Sequence, residues 1–144
     1  MSVSHILKSK GRDVITVAPN ASVAAVAEIL AKRRIGAVIV STDGSRIQGI
    51  VSERDIVRCL SEKGASCLTL GVDSIMSRQV KTCSEQDTEI ELMALMTDNR
   101  IRHLPVVADG KLSGMISIGD VVKSRIEAIE RESAEMKAYI AGAA

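Results

Sequence analysis

"VITVAPNASVAAVAEILAKRRIGAVIV", residues 14–40, and "VKTCSEQDTEIELMALMTDNRIRHLPV", residues 80–106, are one pattern written twice. Thr16 falls on Thr82, Ser22 on Thr88 and Ile35 on Ile101, each pair 66 positions apart. After a turn shortened by one residue, "GIVSERDIV" from Gly49 falls on "GMISIGDVV" from Gly114, now 65 apart, and Gly, Ser and Asp coincide. A repeat outranks local propensity in reading a fold, because overlooking one misassigns the whole chain.

Each copy predicts a short strand, an amphipathic helix, two strands around a turn and a closing helix. Ser22 is placed as an N-cap, with Val23, Val26, Ala27 and Leu30 following at helical spacing. Thr88 and Glu91 match a capping box ahead of Leu92, Leu95 and Met96. The β-branched runs "GAVIVS" and "LPVVA" lead into Asp43-Gly44 and Asp109-Gly110, dipeptides that favour tight hairpins. "RIQGIVS" and "KLSGMIS" are the partner strands, and Ser61–Arg78 reads as a connector with a helical turn near Ile75. The fold class expected is therefore α/β, two β-α-β-β-α repeats with pseudo-two-fold symmetry, each small sheet covered by helices. Residues 8–65 form the first repeat, 74–130 the second, and 131–144 a C-terminal helical extension.

Composition narrows the function. The 144 residues are 46% hydrophobic and 26% charged, with a net charge of +1, enough for a core without metal or disulfides. Tyr139 is the only aromatic residue. Modules that stack bases on aromatic rings, or grip a backbone with a basic face, lack both ingredients here, so no nucleic-acid partner is expected. No membrane span or signal peptide is expected either, and the cytoplasm is the default location. Cys59, Cys67 and Cys83 are odd in number and lack metal-ligand spacing, which predicts free thiols. Neither His5 nor His103 sits in a recognisable Cys/His constellation, and no P-loop, GxGxxG, HExxH or G-x-S-x-G is present. A catalysed reaction is not expected.

With the doubled pattern and the "GIVSERDIV" and "GMISIGDVV" motifs in order, nearly the whole chain resembles the CBS domain family, in its stand-alone tandem form. The resemblance implies a flat pseudo-two-fold module whose clefts take AMP, ATP, NAD(H) or S-adenosylmethionine, with no catalytic cofactor and no metal. Carried over by position, it makes Asp55 and Asp120 holders of the ribose hydroxyls and places Ser52 and Ser117 near phosphate. The base is then held by main chain around Ile15, Thr16, Lys81 and Thr82, with apolar walls from Val38 and Leu104. A carboxylate suits a cis-diol, and a helix N-terminus suits phosphate. The same Ser-x-x-Asp is also what a helix cap requires, and both readings stand at this point. Gly49 and Gly114 serve equally as backbone space within a strand.

The copies differ in charge. Arg102 and His103, followed by Leu104 and Pro105 at the strand entrance, replace Gly36 and Ala37, while Arg54 stands where the second copy has Gly119. The two clefts are accordingly expected to be unequal, with cations either neutralising phosphate or forming a solvated surface. Arg34 and Arg100 read as ordinary charges at helix C-termini. In the last helix Val122, Ile126, Ile129, Ser133, Met136 and Ile140 follow steps of four and three. That seam is either a dimer contact or packing on the N-terminal helix near Ile6 and Leu7. The function expected is an adenine-nucleotide sensor, homodimeric, acting on a separate effector protein. A constitutive dimerisation module without ligand is the alternative.

Overall fold

The computed structural model describes residues 1–143. The N-terminal helix α1 (Val3–Lys10) precedes the first repeat: β1 (Thr16–Val17), α2 (Val23–Arg33), β2 (Ala37–Val40), β3 (Gly49–Ser52) and α3 (Glu53–Lys63). Two short 3-10 turns, Gly64–Thr69 and Val72–Ser74, connect it to α4 (Glu89–Asn99), β4 (His103–Ala108), β5 (Lys111–Ser117) and the long α5 (Ile118–Ala143). Ser22 caps α2 and the Thr88/Glu91 capping box starts α4, as their spacing predicts. The mixed α/β fold with two repeats is as expected.

The first sheet runs β1-β2-β3, with β1 parallel and β3 antiparallel to β2. In the second sheet the strand expected near Lys81 and Thr82 shrinks to one parallel bridge, Cys83 with Val106. The cause is Pro105. In the first repeat the Ile39 N–H donates to the Ile15 carbonyl (3.3 Å) and the Ser41 N–H to that of Val17 (2.9 Å). In the second, Val107 N–H donates to Cys83 (2.9 Å), but Pro105 stands at the position of Ile39 and has no N–H for the Lys81 carbonyl.

The hairpins also diverge. Asp109 and Gly110, at φ 52° and 75°, make the tight two-residue turn that their identity predicts. Asp43-Gly44 instead lies in a longer loop, where the Asp43 carboxylate accepts from the Ser45 and Arg46 N–H groups, both at 2.9 Å. Those two bonds hold the exposed Asp43 carboxyl down at about 2.

Each repeat's core is completed by a segment that precedes the other. Val3, Ile6 and Leu7 of α1 pack with Leu92, Met96, Leu104, Val106, Ile116 and Val121 of the second repeat. Val72, with Ile75 and Met76 against it, does the same for the first. The backbone repeats this too: Val3 N–H donates to Asp87 and Val72 N–H to Ala21, both at 2.8 Å. Among the cores' polar members is Glu89, buried at the start of α4 beneath α5, where the Ser124 hydroxyl donates to it (2.9 Å). Its counterpart in the first repeat is Val23, so this pair is a polar substitution within an otherwise apolar plan.

Candidate functional site

Where β3 ends, Ser52 leaves the sheet in an extended conformation and Glu53 begins α3. The Ser52 hydroxyl accepts from the Asp55 N–H (3.4 Å), and Asp55 Oδ2 accepts from the Ser52 N–H (2.8 Å). Asp55 therefore does cap its helix. Only one of its oxygens is committed, however, since Oδ1 has Arg58 as its nearest ionic neighbour, at 3.8 Å. Asp55 also borders a cavity of about 390 Å³ between the repeats, so capping and cleft lining are not exclusive.

The first repeat contributes Gly36, Ser52, Glu53, Arg54, Asp55 and Arg58 to this cavity; the second contributes Lys81 and the run Asn99–His103. Five cationic side chains (Arg54, Arg58, Lys81, Arg100 and Arg102) face two carboxylates, Glu53 and Asp55. Arg54 bridges the halves, its guanidinium donating to the Arg100 carbonyl at 3.3 Å. Burial pushes the imidazole of His103 below its ordinary value, against an opposing pull from Glu53. Gly36 makes room for it: a Cβ there would lie 2.8 Å from His103 Cε1 and 2.9 Å from Glu53 Oε1.

The pseudo-equivalent acid has a different environment. Asp120 Oδ2 accepts from the Ser117 N–H (2.8 Å) and from Lys10 Nζ (2.6 Å), and the same ammonium donates to the Met115 carbonyl (2.8 Å). Burial would raise this carboxyl, but Lys10 and the Ser117 N–H outweigh it and hold it below the usual range. Lys10 thus shares the capping oxygen of Asp120, giving this acid a cation at hydrogen-bond distance that its twin, Asp55, lacks.

Of the residues singled out from sequence, Ser52, Arg54, Asp55, Lys81, Arg102 and His103 line one cavity. Ser117 and Asp120 lie at the Lys10 contact and are not among its lining, although Ser117 pairs with His103 across the second sheet. Val38 and Leu104 are fully buried, one in each core, and present no surface as ligand walls. Pro105 is buried, its carbonyl accepting from Cys83 N–H at 3.0 Å, while Ile15, Thr16 and Thr82 do not border the cavity. Arg58, Gln79, Asn99 and Arg100 line it without having been anticipated. Arg58 was discoverable, one helical turn beyond Arg54 on the same face. Arg100 is more than a surface charge: like Arg34 it ends its helix in the left-handed region, φ 53°, and its carbonyl holds Arg54. The three cysteines are free and buried, and burial, with Asp87 nearby, pushes the Cys83 thiol up to about 12, unsuited to nucleophilic work.

The buried His103 gives the fold a testable pH response. With its folded pKa below 6.5, the unfolded chain takes up the proton first as pH falls. The His103 contribution is complete above pH 6.5 and declines as pH falls from there toward the depressed value. Melting temperature should fall between pH 7.5 and 5.5, and less so in His103→Gln; equal slopes in the two proteins would assign the loss to other groups.

Among the described residues, no group of His, Cys, Asp and Glu is placed to hold a metal, and no helix is long and apolar enough to cross a membrane. The CBS domain family model matches residues 3–62 and 72–127. A mitochondrial CBS domain-containing protein of Arabidopsis thaliana is 33% identical over 98% of this chain and 72% of its own length. The crystal structure of a CBS-domain containing protein from Agrobacterium tumefaciens superposes with a TM-score of 0.84 at 44% identity, covering 87% of this chain and 99% of that one. A CBS domain protein from Pyrobaculum aerophilum, solved in complex with AMP, superposes with a TM-score of 0.74 at 29% identity, covering 83% and 89%. Matched twice in tandem by the family model, and closely superposable on solved members, this chain belongs to the CBS domain family.

Proposed function

We propose that the chain is a regulatory module whose open cleft binds an adenine nucleotide, AMP, ATP or NAD(H), and that it works as a cytoplasmic homodimer on a separate effector protein. The observation that carries this reading is one shared cavity with Asp55 on one repeat and Lys81 and Arg102 on the other. Ribose hydroxyls donate to the uncommitted Asp55 oxygen while phosphates meet the cations. The Lys81 carbonyl, left without a strand donor by Pro105, offers an acceptor for an adenine amino group. A volume of about 390 Å³ suits a small ligand.

The excess of cations favours ligands carrying several negative charges over the sulfonium of S-adenosylmethionine. A ligand bridging the halves binds best to one arrangement of them, and occupancy shifts the module toward it by that difference in affinity. The role is regulatory rather than catalytic.

The test is a melting series with AMP, ADP, ATP, NAD, NADH, S-adenosylmethionine and GTP. At a hundredfold excess over Kd, binding stabilises by about 2.7 kcal/mol, a rise of roughly 9 °C for this size. Adenine ligands should raise the midpoint and GTP much less. No rise with any adenine ligand would leave the constitutive interaction module as the better reading.

A further inference from the structure

The 26-residue α5 continues far past the packing of the second repeat. Its inward face is Val121 and Ser124, both buried. About a third of the way round the helix, Val122, Ile126, Ile129, Ser133, Met136 and Ile140 form a separate stripe. Its five apolar members are 44% to 61% exposed, so α1, which helps to bury Val121, does not cover the seam. The stripe is one heptad seam wide, flanked by charge on both sides: Lys123, Glu130 and Lys137 along one flank, Arg125 and Glu132 along the other. Charged flanks of this kind restrict the contact to the narrow seam of a two-stranded coil.

The charges also choose the orientation. With two copies parallel and in register, each flanking residue meets the partner's opposite flank five positions on. Arg125 then faces Glu130 of the partner subunit and Glu132 faces Lys137 of the partner subunit, and each pair occurs twice. With the seams overlapped antiparallel, Lys123 faces Lys137 of the partner subunit and Glu130 faces Glu130 of the partner subunit, both repulsive. Arg125 pairs with the buried Glu89 carboxylate at 3.5 Å while 43% of its side chain stays exposed, so the parallel contact extends an existing ion pair.

We propose that the seam of α5 docks a second copy of this chain as a parallel two-stranded coil, placing the two CBS pairs at the same end of the dimer. The proposal rests on the homodimer reading above and is independent of the nucleotide.

Sedimentation of the full chain, reduced, should show a dimer. Ile129→Asp, at an exposed position, should weaken association at least about tenfold with a normal melting transition for the dilute chain. Glu132→Lys should weaken it and the double change Glu132→Lys with Lys137→Glu should restore it. Ser133→Cys adds an orientation readout: in a parallel coil the two cysteines face each other within disulfide reach, Cα to Cα about 4.4 to 6.8 Å, and mild oxidation should link the dimer. The native cysteines are buried and do not compete. A chain that stays monomeric overturns both this proposal and the homodimer reading. A dimer indifferent to Ile129→Asp, or one in which Ser133→Cys fails to cross-link, overturns the parallel coil alone.

Discussion

Removing residues 1–10 should unfold the second repeat, although none of those residues belongs to it in the repeated pattern. Val3, Ile6 and Leu7 have 0%, 4% and 1% of their surface exposed, and all three lie in the second core. Leu7 also fills the space over Gly114, where a Cβ would come within 2.8 Å of its Cδ2. A single Leu→Ala change in a packed core costs about 2–5 kcal/mol, a large share of the roughly 5–15 kcal/mol that keeps a domain folded. Leu7→Ala alone should therefore lower the chemical-denaturation midpoint markedly, and the deletion should abolish cooperative folding of that half. Leu68→Ala, at an exposed site, is the control and should change little. The measurement is amide exchange beside a urea titration. Protection persisting at Leu104, Val106 and Ile116 after the deletion would show that α1 decorates the core rather than completing it.

The second large effect is expected in ligand binding, and it is one-sided. Asp55→Asn keeps a cap acceptor, so the unliganded fold should lose only about 0.3–1 kcal/mol of charge-dipole stabilisation. It replaces a carboxylate acceptor with a neutral one, and binding of an adenine nucleotide should weaken about tenfold or more. Asp120→Asn should leave that binding nearly unchanged, because Asp120 is engaged by Lys10 and does not line the open cavity. Arg102→Ala should resemble Asp55→Asn, since Arg102 approaches the same cavity from the other repeat. Titration calorimetry on the three variants checks this. Equal losses from both aspartates would refute the asymmetry, and no loss from Asp55→Asn would remove it from the ribose role.

Much of this molecule is readable from its residues, and the failures have specific causes. Capping spacing and the apolar steps of α2 and α4 are local signals, and they locate both helices correctly. The exchange of leading segments is not local. Its trace, Val3 to Leu7 lying over Val72 to Met76 with Val and Ile matched, is 69 rather than 66 positions apart and too short to register as part of the repeat. Pro105 is plain in the sequence, but its effect on the strand depends on Ile39 being its counterpart and the Lys81 carbonyl, the counterpart of Ile15, losing its donor. Val38 and Leu104 misled as ligand walls because β2 is buried along its whole length and β4 at Leu104; alternation would have left a face open. Asp55 and Asp120 look equivalent in sequence, and only Lys10, brought from over a hundred positions away, distinguishes them.

The exchanged segments also impose an order on synthesis. Everything the first repeat needs has left the ribosome soon after Ser77, the last residue to bridge its sheet. The α1 helix, translated before any of it, has its core completed only when Ile116 and Val121 emerge. At about 5–20 residues per second that interval lasts roughly 2 to 9 seconds. During it the nascent chain carries a finished half and an amphipathic helix whose own core is still being translated.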